Sequence, residues 1–99
     1  MVTKGLIVRL EAKGGQEDAV AAFLREALPV VQAERRTVAW FAFRSGPSSF
    51  AIVDAFPDDG ARQEHLNGQV AAALLARADD LLSRPPEVVE LDVLAAKLP

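Results

Sequence analysis

The sequence predicts an α+β domain: a four-stranded antiparallel sheet with two helices on one face. Three observations lead there. Two strand-like runs, Val38–Ser45 and Ser49–Phe56, flank the turn Gly46-Pro47-Ser48, the signal for a hairpin with a loop longer than two residues. An apolar stripe at helical spacing precedes this hairpin and another follows it. A single alternating strand lies outside each helix, so the order is β-α-β-β-α-β.

In Gly5–Ala12, Leu6, Val8 and Leu10 alternate against Ile7, Arg9 and Glu11, the pattern of a half-buried strand. Lys13-Gly14-Gly15 is a turn. From Gln16 to about Ala33, residues Val20, Phe23, Leu24, Ala27, Leu28 and Val31 form one helical stripe, and Glu17 and Asp18 suit the positive end of the helix dipole. Pro29 lacks a backbone donor and is expected to kink or end the regular helix near Arg25–Leu28. Glu34-Arg35-Arg36-Thr37 is a polar connection into the hairpin.

The hairpin holds the only tryptophan and four of the five phenylalanines. In its first strand, Trp40, Ala42 and Arg44 share one face, and Ala39, Phe41 and Phe43 share the other. Both faces are largely apolar, so neither is expected to lie open to water. After it, Pro57–Gly60 is a turn in which Asp58 or Asp59 can cap a helix. Asn67-Gly68 splits the following helical stretch into Ala61–Leu66 and Gln69–Leu82, joined by a bend. Ala71, Leu74, Leu75, Ala78 and Leu82 give the second segment its apolar stripe. Pro85-Pro86 stops it. In Glu87–Ala96, Val89, Leu91 and Val93 alternate with Glu90 and Asp92, a last strand.

This order is the ferredoxin-like, split βαβ arrangement. Connection rules put the first strand in the centre, beside the third and fourth. The sheet face away from the helices then carries large apolar side chains with nothing of this chain over them. A homodimer packed through the sheet faces is the simplest cover.

At 99 residues the chain is one domain, 1–99. A net charge of −3, with Arg35-Arg36 as the only adjacent basic pair, argues against nucleic acid as a partner. No apolar run is long enough for a membrane span, and no secretory leader is recognisable, so the expected location is cytoplasmic. Cysteine is absent, which excludes disulfides, thiolate catalysis and sulfur-ligated metals. The single His leaves a zinc or haem site short of its usual ligands, so neither is expected.

The βαββαβ order, the run Phe50-Ala51-Ile52-Val53-Asp54-Ala55-Phe56 and the helix bearing His65-Leu66-Asn67-Gly68 resemble the antibiotic biosynthesis monooxygenase family of dimeric α+β barrels. The resemblance spans nearly the whole chain, through loose motifs. It matches an aromatic at Trp40, an acid at Asp54, a His at His65 and a small residue at Gly68. It departs at Phe56, where the family often has Trp. Haem-degrading members use an Asn on the first strand, a Trp ending the third and a His on the second helix. Here all three are missing, so the resemblance speaks against haem degradation. It implies instead an oxygenase that works on hydroquinone- or anthrone-like substrates without metal or flavin.

The candidate site residues each have two readings. His65 is either a general base near neutral pH or a helix-surface residue. On a continuous helix it would lie about 140° from the stripe centred on Ala78. Asp54 interrupts an apolar strand; buried, it could act as a base or hold His65, and otherwise it pairs with Arg9 or Arg44. Trp40, Phe43 and Phe56 could line an aromatic pocket or simply fill core and interface. Arg44 could orient an anionic or phenolate substrate or form a salt bridge. The alternatives to an oxygenase are a non-catalytic dimeric domain, binding a small ligand or serving as an accessory protein, and an isomerase or cyclase on the same scaffold.

Overall fold

The computed structural model describes residues 1–99 and has the expected element order. The elements are β1 (Lys4–Glu11), α1 (Glu17–Gln32), β2 (Ala39–Arg44), β3 (Ser49–Phe56), α2 (Asp59–Leu66), α3 (Gln69–Leu81) and β4 (Glu87–Asp92). All strand pairs are antiparallel in the order β2-β3-β1-β4, which puts β1 in the centre as the connection rules require. No helix is long and apolar enough to cross a membrane.

Register decides which residues meet. Leu6, Val8 and Leu10 stand opposite Asp54, Ile52 and Phe50, and all are buried beneath the helices. Their apolar members pack with Val20, Phe23 and Leu24 of α1 and with Leu74 and Leu81 of α3, apart from Leu6. Leu6 joins Phe56 and Ala61 in a smaller cluster under α2. A third cluster, Ala27, Val31 and Val70, packs α1 against α3 and touches Trp40.

Most element ends shift by one or two residues from the sequence reading, and two differences are larger. Helix α1 runs through Pro29 to Gln32. The carbonyl that loses its donor belongs to Arg25, an exposed residue, where water can serve it, so the proline is tolerated. Strand β4 ends at Asp92, not Ala96. Asp92 pairs with Lys4, the first residue of β1, and no strand lies opposite anything later.

The outer sheet face carries Ala39, Phe41 and Phe43 opposite Ala55, Val53 and Ala51. Phe41 and Phe43 are each about half exposed, and their rings stack with centroids 5.6 Å apart. Ile7, Val89 and Leu91 extend this apolar surface across the sheet.

Candidate functional site

Three elements converge on one imidazole. Helix α2 begins at Asp58, whose carboxylate accepts from the Ala61 N–H at 2.8 Å. Its inward positions are Ala61, Arg62 and His65. The helix ends at Leu66, and α3 starts on a separate axis after Asn67 and Gly68. At Gly68 an added Cβ would sit 3.2 Å from the His65 carbonyl, so the tight bend favours glycine. The surface reading of His65 assumed one continuous helix. The bend removes that premise, and His65 is only 8% exposed.

His65 Nδ1 lies 2.6 Å from Glu34 Oε1, and its Nε2 lies 3.1 Å from Asp54 Oδ2. The first contact is a short, charge-assisted hydrogen bond. The second is an ion-pair contact lacking good hydrogen-bond alignment, since neither Asp54 oxygen has a hydrogen-bond partner. Glu34 follows the end of α1, and the same Oε1 also accepts from Thr37 Oγ1–H at 2.7 Å. The Asp54 side chain is fully buried, whereas Glu34 is 22% exposed. The chain of contacts therefore runs from the interior to the surface. Phe56 packs beside the imidazole, with ring centroids 5.4 Å apart.

Burial by itself would lower the pKa of His65, but the Asp54 and Glu34 carboxylates outweigh it and hold the imidazole above its ordinary value. Burial raises the pKa of Asp54. Neighbouring His65 opposes that rise without cancelling it, and Glu34 adds to it. In the folded state both groups thus keep their protons to higher pH than in the unfolded chain. The His65 contribution to folding stability is fully present below its unfolded value of about 6.5 and falls as pH rises through the folded one, whereas the Asp54 contribution is fully present only below its ordinary carboxylate value and is lost as pH rises through its own raised one. Urea melts across that range should show the midpoint declining on the alkaline side, and a flat profile would contradict the assignment.

One hollow adjoins these residues and a second lies beside Trp40. The first, of about 600 Å³, is lined by Glu34, Arg35, Arg36, Thr37, His65 and Gly68 among others. Arg36 braces its rim through Asp58 at 2.6 Å and Glu64 at 2.8 Å. The other, of about 340 Å³, lies between α1 and β2 and is mostly apolar, with Leu24, Leu28, Trp40 and Phe50 in its wall.

The structure thus brings Asp54 and His65 together and puts Trp40 directly across the strand from Asp54. Asp54 does not pair with Arg9 or Arg44. Arg9 faces Glu87 at 3.6 Å on the outer face, and Arg44 donates to the Gly46 and Pro47 carbonyls of its own turn and covers the Phe50 ring. Phe56 has no exposed surface, so it packs the core behind His65 and does not line a cleft. Phe43 lies on the opposite face of β2 from Trp40, because successive strand residues alternate. Sequence reasoning missed Glu34. It lies in a short polar run with no periodicity, and only the tertiary path of the chain after α1 turns it onto His65.

A crystal structure of a Nitrosomonas europaea protein of unknown function is 57% identical, covering 100% of this chain and 96% of that one, with a TM-score of 0.98. A structure of an antibiotic biosynthesis monooxygenase superposes with a TM-score of 0.80 at 20% identity, over 93% of this chain and 99% of that one. The chain belongs to the family of the Nitrosomonas protein and has the antibiotic biosynthesis monooxygenase fold. A Mycobacterium tuberculosis protein shares this fold at a TM-score of 0.85 and 20% identity, over 95% and 97% of the two chains. No protein-family model and no curated protein matches the sequence.

An antibiotic biosynthesis monooxygenase fold does not by itself supply a reaction. The chemistry has to come from Glu34, His65 and Asp54. The two carboxylates address opposite nitrogens of one ring, so the three side chains do not converge on a point. No group of three His, Cys, Asp or Glu residues is placed to hold a metal ion. The arrangement suits moving a proton along a line.

Proposed function

We propose that this single domain is a cofactor-independent monooxygenase acting on a small, electron-rich aromatic of the hydroquinone or anthrone type. The observation that carries the reading is His65, buried between Asp54 and Glu34 beside a hollow. Proton removal is what such a substrate needs. Asp54 and His65 take the proton, and Glu34 passes it to the surface. The substrate anion gives one electron to dioxygen, and the resulting radicals combine into a peroxide anion, which is protonated. At a CH₂ carbon, loss of the remaining C–H proton with cleavage of the O–O bond leaves a carbonyl and water. One dioxygen is consumed and no external reductant is needed. The protein contributes orientation, a dry site and the base.

A second reading has its own support. Both ring nitrogens of His65 are engaged and little of the ring reaches the surface. That also suits a domain that binds a small aromatic without oxidising it, or one that isomerises or cyclises it. Oxygen uptake separates them. Chelator-treated protein should consume oxygen above the autoxidation blank with a member of a hydroquinone, naphthol and anthrone panel. Glu34→Gln should slow uptake about 100-fold by interrupting proton exit, the low end of the usual range for a general acid–base group. No uptake across the panel would sink the oxygenase reading.

A homodimer through the outer sheet faces belongs to the same proposal. Phe41 and Phe43 are large, stacked and half exposed, as interface anchors are. Light scattering at micromolar concentration should give twice the chain mass, and Phe41→Asp should give monomer. A monomeric wild type would count decisively against it.

A further inference from the structure

Trp40 and Asp54 are direct cross-strand partners on the helix-facing side of the sheet. Each holds buried polar atoms without a hydrogen-bond partner. Trp40 contributes a donor, Nε1–H, and Asp54 contributes acceptors, Oδ1 and Oδ2. Folded proteins keep few such groups, and those that persist ask for a reason. Opposed residues on one face have Cβ atoms about 4.5–5.5 Å apart, so the indole and the carboxylate are neighbours. Yet neither serves the other.

We propose that Trp40 and Asp54 form a two-point clamp for one phenolic hydroxyl of the substrate, whose oxygen accepts from Trp40 Nε1–H while its O–H donates to Asp54 Oδ1. The proposal rests on the reading of the site as one for electron-rich aromatics, and it specifies what that aromatic must carry. A hydroxyl is donor and acceptor at one atom. An ether or ketone oxygen can accept from the indole but leaves the carboxylate unserved. A carboxylate ligand would be repelled by Asp54. Trp40 also walls an apolar hollow with Leu24, Leu28 and Phe50, so a ring seated there lies against the indole, with Asp54 across the strand pair outside that lining.

The clamp also divides the work of proton transfer. The phenolic O–H bond breaks, a new O–H bond forms on Asp54, and the negative charge moves to the substrate oxygen. Trp40 Nε1–H then faces that oxyanion, a donor aimed where charge develops. With His65 as the neutral Nδ1–H imidazole, Asp54 hands its proton to the free Nε2 while the Nδ1 proton passes to Glu34. One proton has moved from substrate to Glu34, and the imidazole is left neutral with its proton on Nε2. Asp54 is the proton acceptor in this scheme, and His65 and Glu34 are the exit.

The test is equilibrium dialysis of the intact protein against 1-naphthol and 1-methoxynaphthalene, read by ligand absorbance at neutral pH. Wild type should bind the naphthol at least about tenfold more tightly than the ether, because a site built to bond a hydroxyl penalises its loss. Asp54→Asn should remove most of that preference, and Trp40→Phe, which takes the donor away from both compounds, should weaken the binding of both. Equal affinity for the two compounds in wild type, binding of neither, an intact preference in folded Asp54→Asn, or unchanged binding of both compounds by folded Trp40→Phe would overturn the clamp. The wild-type comparison needs no variant to fold. Oxygen uptake is read separately: a hydroxyl preference without uptake supports the clamp while removing the oxygenase, and uptake without a preference overturns the clamp alone.

Discussion

His65→Ala is expected to destabilise the fold by about 3 kcal/mol, at the low end of what breaking a buried ion pair costs. Two carboxylates face this ring, and removing it leaves the fully buried Asp54 with no cation nearby. Asp54 must then take up a proton or carry an unpaired charge in the interior, and both raise the free energy of the folded state. A void beside Phe56 adds to the loss. Asp54→Asn should cost less, because it removes the buried charge and leaves His65 bonded to Glu34. Combining the two changes should recover part of the His65→Ala loss, a non-additivity expected of groups in contact. The cost should be largest in mildly acidic buffer, where the wild-type imidazole is charged. It should shrink as pH rises through the folded pKa, which the two carboxylates hold above its ordinary value. Urea midpoints for the three variants at acidic and alkaline pH decide it. A His65→Ala loss below about 1 kcal/mol, the range of an exposed pair, would show that His65 is not the charge that Asp54 depends on.

The same residue shows where sequence reasoning stopped. Strand alternation in β1 and β3 and the stripe in α1 are local properties, and they appear in the structure as written except at Leu28, which is exposed. The inward direction of His65 is not local. It depends on α2 and α3 lying on different axes, and the dipeptide Asn67-Gly68 signals a bend without giving its angle. Asp54 was recognisable as an acid in an apolar strand, with His65 as one candidate partner and Arg9 or Arg44 as the others, but the sequence could not choose among them. Arg9 and Arg44 were reasonable by charge. One lies on the other sheet face and the other is taken up by its own turn. Glu34 was illegible because a four-residue polar connector has no periodicity to read. The unpaired Trp40 and Asp54 atoms emerge only once register sets the two residues opposite each other.

Arg62→Ala should be about as damaging as His65→Ala, at about 3 kcal/mol, although Arg62 touches neither hollow's lining. Its side chain is 8% exposed and lies under the junction of β1 and β4. Nη1–H groups donate to the Gly5 carbonyl at 3.2 Å and the Leu91 carbonyl at 3.0 Å, one on each strand. Nη2 meets Asp59 Oδ1 at 2.8 Å and Glu90 Oε1 at 3.4 Å, and Nε–H also donates to Asp59. One planar fork therefore ties α2 to two strands, which a lysine ammonium cannot reproduce. Truncation removes donors from two strand carbonyls, at about 1–3 kcal/mol for each left unsatisfied in a buried setting. For a domain of this length, about 3 kcal/mol corresponds to a melting temperature lower by about 12 °C or more. Arg36→Ala is the matching control, since it removes two ion pairs of 2.6 and 2.8 Å from an exposed side chain. Exposed pairs contribute at most about 1 kcal/mol, so its melt should barely move. Hydrogen exchange gives the local signature: in Arg62→Ala the amides of edge strand β4 should lose protection before those of β3. If Arg36→Ala proves the more damaging of the two, anchoring of β4 through the buried guanidinium is wrong, and the rim of the larger hollow holds this end of the fold instead.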